Sequence, residues 1–185
     1  MSTTTKNEAI SKTLWETLRR RQEQVCRQYE LKLDSSHFNH LTRKQMPALF
    51  LEAKWLYNAQ LANGVFTTDY RTQTVRVKVG DHYENRTIRN LSSQMRQEIL
   101  DRTKDNVYGL AALKKNGHKV GGLKFKRQVT SIPLKQYGVT YRIDRTHNRI
   151  GIQGIRQKLR ARGLNQIPPG AEFANAILIQ MHKSF

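Results

Sequence analysis

From Gly121 to Met181 the chain keeps no helical period, and short runs alternate apolar with polar residues: "LKFKRQV", "SIPLKQY", "VTYRI", "RIGIQGI", "KLRARGL" and "FANAILIQM". Pro133, Gly138, His147-Asn148, Gly154, Gly163 and Pro168-Pro169-Gly170 interrupt them. Alternation at period two puts one face of a strand inward, and a series of such strands at even spacing predicts a small barrel or sandwich.

The same stretch is strongly basic. Residues 106–171 hold fourteen lysines and arginines against one acid, Asp144, whereas residues 1–105 hold eighteen against twelve. The formal net charge of the chain is +19. A field this lopsided repels itself in a compact domain unless an anion covers it. Nucleic acid is the expected partner, with lysine and arginine supplying phosphate contacts. A small barrel resolves the tension between strand and charge, because only its inner face need be apolar. Lys124, Lys126 and Arg127 would alternate against Leu123 and Phe125, with Phe125 read as buried. Lys135 and Arg142 would flank Ile132, Leu134, Tyr141 and Ile143. Arg156, Lys158, Arg160 and Arg162 follow the period less cleanly, so that run reads either as a strand or as a basic loop.

Upstream, residues 7–24 read as a helix with a narrow stripe of Ile10, Leu14 and Leu18 closed by "RRRQEQ". Val25–Asp34 switches to alternation and predicts a strand, with Tyr29, Leu31 and Leu33 on one face. "LTRKQMPALFLEAKWLYNAQLANG" is the clearest helix, with Thr42 and Gln45 spaced as a capping box, Pro47 near its start and Gly64 ending it. Its apolar face is Leu49, Ala53, Leu56, Tyr57 and Leu61, and Trp55 and Tyr57 read as packing anchors or as stacking platforms. Thr72–Ile88 is a hairpin turning at Gly80-Asp81, or an ordered connector. Leu91–Gly117 is a second long helix, with Met95, Ile99, Val107, Leu110 and Leu113 on its apolar face.

The single cysteine, Cys26, excludes a disulfide framework within this chain and reads as a small packing residue. The six histidines are scattered; His37 and His40 share a helical turn with no third ligand, so neither a metal site nor a cofactor is expected. No apolar run reaches membrane-spanning length, and "MSTTTKNEAISK" lacks the apolar core of a signal peptide. The expectation is a soluble protein without a membrane partner, cytoplasmic and nucleoid-associated.

Six ordered pieces carry a resemblance: "YELKLD", "LFLEAKWLYN", "LSSQMRQEILDR", "NGHKVGGLKFKRQVTSIPLKQYG", "IGIQGI" and "ARGLNQIP". Over about residues 25–180 the chain resembles the N-terminal half of TnpB, or OrfB, the RNA-guided nuclease of small insertion sequences, also classed as a transposase with an N-terminal helix-turn-helix. The family is related to the single-protein RuvC-type CRISPR effectors. The resemblance implies an α+β fold: a small oligonucleotide-binding-type β-barrel interrupted by a helical recognition insertion and preceded by an N-terminal helix. The implied division is a helical extension at 1–24, a first barrel strand at 25–39, the insertion at 40–118 and the rest of the barrel at 119–185.

The implied function is a nucleic-acid-binding module that grips guide-type noncoding RNA and reads duplex DNA beside the target. Gln94 falls at the family's motif-reading position, Asn90 four residues before it, and Gln136 and Tyr137 match a polar-aromatic pair meeting the same DNA. A glutamine amide matches the adenine edge in the major groove; the plain alternatives are an exposed helical Gln94 and a helix-capping Asn90. The nine cations from Lys124 to Arg162 named above are the expected phosphate or RNA contacts.

The family's RuvC domain, with separated acids binding two magnesium ions, has no counterpart here. After Asp105 the only carboxylates are Asp144 and Glu172, and the family's zinc-ribbon cysteines are also absent. The chain is therefore expected to cut nothing alone, as a truncated or frameshifted product with part of its barrel missing. The alternatives are a repressor derived from such a nuclease, or half of a split nuclease completed by a separately encoded RuvC chain.

Overall fold

The computed structural model describes residues 3–64, 69 and 71–181, with side chains from residue 6 onward. It is a mixed α/β chain in two compact units, Met1–Glu30 and Leu31–Phe185. His182, Lys183 and residues 65–68 and 70, which fall within or beside segments read from sequence, lie outside the described residues.

The first unit contains helix α1, Thr3–Glu23. Its stripe is there but exposed: Ile10 is 51%, Leu14 59% and Leu18 50% accessible, with Trp15 beside them at 73%. Thr13 and Thr17 return their hydroxyls to the carbonyls of Ala9 and Thr13, and Arg19 pairs with Glu23 at 3.1 Å, so the helix is held by its own neighbours along one face. The strand expected over Val25–Asp34 shrinks to β1, Lys32–Leu33. Val25 is 81% exposed, and Cys26, read as a small packing residue, is exposed as well. Alternation makes a strand only where a neighbouring strand takes up its backbone groups, and here pairing covers two residues.

The second unit is built around α2, His40–Asn63, and α3, Ser93–Lys115. α2 is capped three residues earlier than its sequence signals. Asn39, not Thr42, is its cap, accepting from the Thr42 amide at 2.8 Å, and Thr42 is buried. Pro47 consequently sits in the third turn, exposed. Leu49, Ala53, Leu56 and Tyr57 bury as the period predicts, against Met95, Ile99 and Leu100 of α3 and Ile132 and Leu134 beyond it. Ser92 caps α3, accepting from the Met95 amide, so Asn90 is not a cap. The C-terminal half of α3 leaves the core, with Leu113 46% exposed. Gly117 ends the helix at φ +83.

Between the helices, β2 (Thr74–Val79) and β3 (His82–Thr87) pair as a hairpin about Gly80-Asp81. Glu52, 4% exposed on α2, closes the hairpin's exit. Its two oxygens accept from the Arg89, Asn90 and Leu91 amides and from the Asn90 side chain at 2.7–3.1 Å. A buried carboxylate is tolerable only when satisfied in this way.

The remaining strands are β4 (Ser131–Leu134), β5 (Tyr141–Asp144), β6 (Arg149–Ile152), β7 (Leu159–Arg162) and β8 (Ala176–Ile179). They form an antiparallel sheet ordered β1-β7-β6-β5 and a separate antiparallel pair β4-β8. Among the described residues the strands do not close into a hydrogen-bonded barrel. β1 pairs with β7, Lys32 opposite Arg162, so residues 40–118 are inserted between two neighbouring strands of one sheet. Gln157 ties the insertion's entry to that sheet, accepting from the Asn39 amide at 2.9 Å and donating to the His37 carbonyl at 2.8 Å.

Two sequence readings fail in this region. "LKFKRQV" forms no strand; its backbone is held by side chains of α2 instead. Asn58 accepts from the Lys126 amide and donates to the Lys126 carbonyl, both at 2.9 Å, and the Tyr57 hydroxyl donates to the Lys124 carbonyl at 3.4 Å. Phe125, read as buried, is 64% exposed. "KLRARGL" resolves the other way: β7 is a strand with Leu159 and Ala161 buried and Arg160 and Arg162 exposed.

Candidate nucleic-acid interface

Gln94 and Glu98 lie one helical turn apart on α3 and meet consecutive residues of the β4–β5 loop. Gln94 Nε2 donates to Gln136 Oε1 at 2.6 Å, and Lys135 Nζ lies 3.1 Å from Glu98 Oε1. Gln136 is left-handed at φ +69, a conformation unusual for a residue with a side chain. Thr140 helps to hold that turn, its hydroxyl bonding to the carbonyls of Lys135 and Gln136. Tyr137 stacks on Phe173 with ring centroids 4.6 Å apart and meets the edge of Tyr141 at 5.4 Å. Gln136, exposed, and Tyr137, 39% exposed, thus form one polar-aromatic corner with Gln94. Asn90 is directed elsewhere, its amide donating to Glu52.

The cations separate into engaged and open groups. Lys126 lies over the Tyr57 ring at 4.4 Å. Burial lowers its pKa from the ordinary lysine value, and the Arg102 charge lowers it further. Arg102 itself is lowered by burial, with Glu98 opposing, and donates to Ser131 at 2.9 Å. Lys135 is held by Glu98, and Lys158 lies 3.7 Å from Asp144. Arg142 folds back on the Gly138 carbonyl at 2.6 Å. Lys124, Arg127 and Arg156 are exposed.

The two acids facing the sheet are both spoken for. Asp34 is held well below the usual carboxylate range, first by the Ser36 hydroxyl and then, against an opposing effect of burial, by Arg162 and the Ser36 amide. Asp144 is lowered chiefly by His147, whose ring and amide bond to it, with Lys158 adding to the effect.

A groove of about 590 Å³ opens on the β6–β7 side of the sheet, lined by His37, His147, Arg149, Lys158, Arg160 and Arg162 among others. Arg149 and Lys32 escaped the sequence reading because only strand register brings them to Arg160 and Arg162, and His37 because a 3₁₀ turn at Ser35–His37 does so. Among the described residues no three His, Cys, Asp or Glu side chains cluster as metal ligands, and no helix is long and apolar enough to cross a membrane. No family model, curated protein or solved structure matches this chain.

Proposed function

We propose that the chain is a nucleic-acid-binding module of the TnpB type, gripping a structured guide-type RNA and the duplex DNA beside a target without cutting either. The observation that carries this reading is the excess of cations over residues 106–171, fourteen against the single acid Asp144 in that stretch, with Arg149, Arg156, Lys158, Arg160 and Arg162 exposed on β6, β7 and the loop between them. Electrostatic complementarity of that kind supports binding to a polyanion. On this reading β1 and β4–β8 are the two parts of an oligonucleotide-binding-type barrel parted by the helical insertion. The β1–β7 pairing across residues 40–118 supports that arrangement. Gln94, Gln136 and Tyr137 are the candidate readers of DNA, and the exposed lysines and arginines are the anchors, since phosphate contacts position while base contacts specify.

The test is a filter-binding titration of the full chain against structured RNA and duplex DNA over a range of salt, with the RNA that co-purifies sequenced in parallel. If about half of the fourteen cations meet phosphates, the log–log salt slope is on the order of −5. A slope near zero removes the reading. Magnesium-dependent cleavage by contaminant-free protein removes the claim that it only binds.

A further inference from the structure

Four cations share one face of the β1–β7–β6 sheet. Arg160 and Arg162 are two residues apart on β7 and point to the same side, opposite buried Leu159 and Ala161. The antiparallel register puts Arg149 of β6 directly across from Arg160, and Lys32 of β1 directly across from Arg162. All four are exposed. The result is a zigzag of four cations over three strands, with steps of about 5 Å between strands and about 7 Å along β7. Like charges placed directly opposite each other destabilise an antiparallel ladder, and here two such pairs stand side by side.

Little within the chain relieves them. Arg162 pairs with Asp34 at 3.1 Å. The Arg160 guanidinium meets a histidine rather than an acid, its NH1 lying 3.0 Å from His37 Nε2. A guanidinium only donates, so that nitrogen accepts. His37 Nδ1 in turn lies 3.3 Å from Asp34. One carboxylate thus orients both β7 arginines, directly and through His37, and the Arg149 guanidinium makes no ion pair or hydrogen bond among the described residues. The groove over this face is lined by no Phe, Tyr or Trp. It offers many donors for phosphate, and its only rings are the imidazoles of His37 and His147.

We propose that this face is a phosphate site for two adjacent phosphodiesters of a polynucleotide backbone, whose binding relieves the like-charge register. The inference rests on the nucleic-acid reading above and assigns it a particular surface. Asp34 and His37 set the β7 guanidinium groups in place before the ligand arrives, and Arg149 on β6 and Lys32 on β1 flank them from opposite sides of β7. Contacts confined to phosphate make the site indifferent to base identity.

The experiment uses the full chain with Arg149→Gln, Arg160→Gln and, as a control on an exposed cation of α2, Lys44→Gln. The probes are single-stranded 20-nucleotide pyrimidine RNA and DNA and inorganic tripolyphosphate. Each arginine variant is expected to lose about 0.7 from the salt slope, which is about fivefold in affinity at 0.1 M salt referred to 1 M. Arg149→Gln is expected to melt at or above the wild-type temperature without ligand, because it removes one member of a repelling pair. Tripolyphosphate should raise the melting temperature of wild type and Lys44→Gln more than that of either arginine variant. The RNA and DNA arms identify which strand type the site prefers.

Wild-type affinity and slope in both arginine variants would overturn this inference while leaving the nucleic-acid reading standing. The same holds if Arg149→Gln melts several degrees lower and binds normally, since the arginine would then be structural. A wild-type chain that binds neither oligonucleotide overturns this inference, and the underlying reading falls only if the titrations against structured RNA and duplex DNA also fail.

Discussion

Gln94 and Gln136, 42 residues apart in sequence, share a hydrogen bond of 2.6 Å in which the α3 amide donates to the loop amide. The bond engages the Gln136 acceptor and leaves that residue's own NH2 group to donate elsewhere, while Gln94 Oε1 is buried without a partner. The pair therefore presents a single fixed donor edge rather than two independent amides. Gln94→Ala and Gln136→Ala should each cost roughly 1–3 kcal/mol on the preferred DNA motif and little on scrambled DNA. The double variant should cost less than the sum by more than about 0.5 kcal/mol. Competition binding across a randomised motif measures all three; strict additivity would mean the glutamines read separately.

The lysines of "LKFKR" are expected to diverge. Lys124 is exposed, so Lys124→Ala should weaken binding to every sequence alike and leave the melting temperature unchanged. Lys126 covers the Tyr57 ring, so Lys126→Ala should also lower stability, by about 1 kcal/mol. Urea melts of the two variants separate these outcomes, and equal midpoints would mean that the ring contact contributes nothing.

Glu52 accepts four hydrogen bonds at 4% exposure. Glu52→Gln replaces one acceptor oxygen by a donor facing the same N–H groups, and should destabilise by about 2–4 kcal/mol. Hydrogen exchange at Arg89–Leu91 should accelerate in the variant beyond its global loss of stability. Unchanged protection there would place the cost elsewhere.

Asp34 makes stability depend on acid. Its folded pKa lies below the unfolded value, so between the two the unfolded chain binds more protons and stability rises with pH. The contribution is complete above the ordinary Asp value of about 3.9 and fades as pH falls below it. Asp34→Asn should be less stable than wild type at pH 6, with a shallower fall in melting temperature between pH 5 and pH 2.5. A parallel fall in both proteins would dismiss Asp34 as the titrating group.

β8 is hydrogen-bonded on one side only among the described residues and exposes Ile177 at 54% and Ile179 at 60%. An uncharged strand edge of this kind templates self-association. Ile179→Lys should reduce aggregation in concentration-dependent sedimentation while leaving the melting temperature within a few degrees. Aggregation that persists in the variant would move the sticky surface off β8.

Long amphipathic periods were legible. α2 buries Leu49, Ala53, Leu56 and Tyr57 at the predicted spacing, and the turn at Gly80-Asp81 closes a hairpin. Short alternating runs were not, because alternation reports a two-faced segment without saying what occupies the backbone. Val25–Lys32 and Leu123–Val129 alternate as β7 does, yet of these only β7 and Lys32 lie in a ladder; around Lys126 the amide of Asn58 stands where a strand would be. The capping pattern at Thr42 misled because Asn39 offered the same chemistry three residues earlier. Within the candidate interface, Arg160 and Arg162 were visible as a basic run, but their partners were not. Arg149 and Lys32 meet them through strand register, and His37 through a 3₁₀ turn at Ser35–His37, neither of which is written in local sequence.

The Asn58 clamp on Lys126 bears on how fast this chain captures a ligand. A polybasic loop left free would have to stop moving after each encounter, and some collisions would end before it did. Here the backbone of Lys124 and Lys126 is already fastened to α2 by Tyr57 and Asn58, so the conformational search is finished before any partner arrives. Association should then be governed by diffusion and electrostatic steering, with a rate that falls steeply with ionic strength and shows no saturating second phase. Cutting the clamp with Asn58→Ala would convert a one-step encounter into capture followed by slow ordering, a difference that stopped-flow traces resolve even where the equilibrium affinity barely moves.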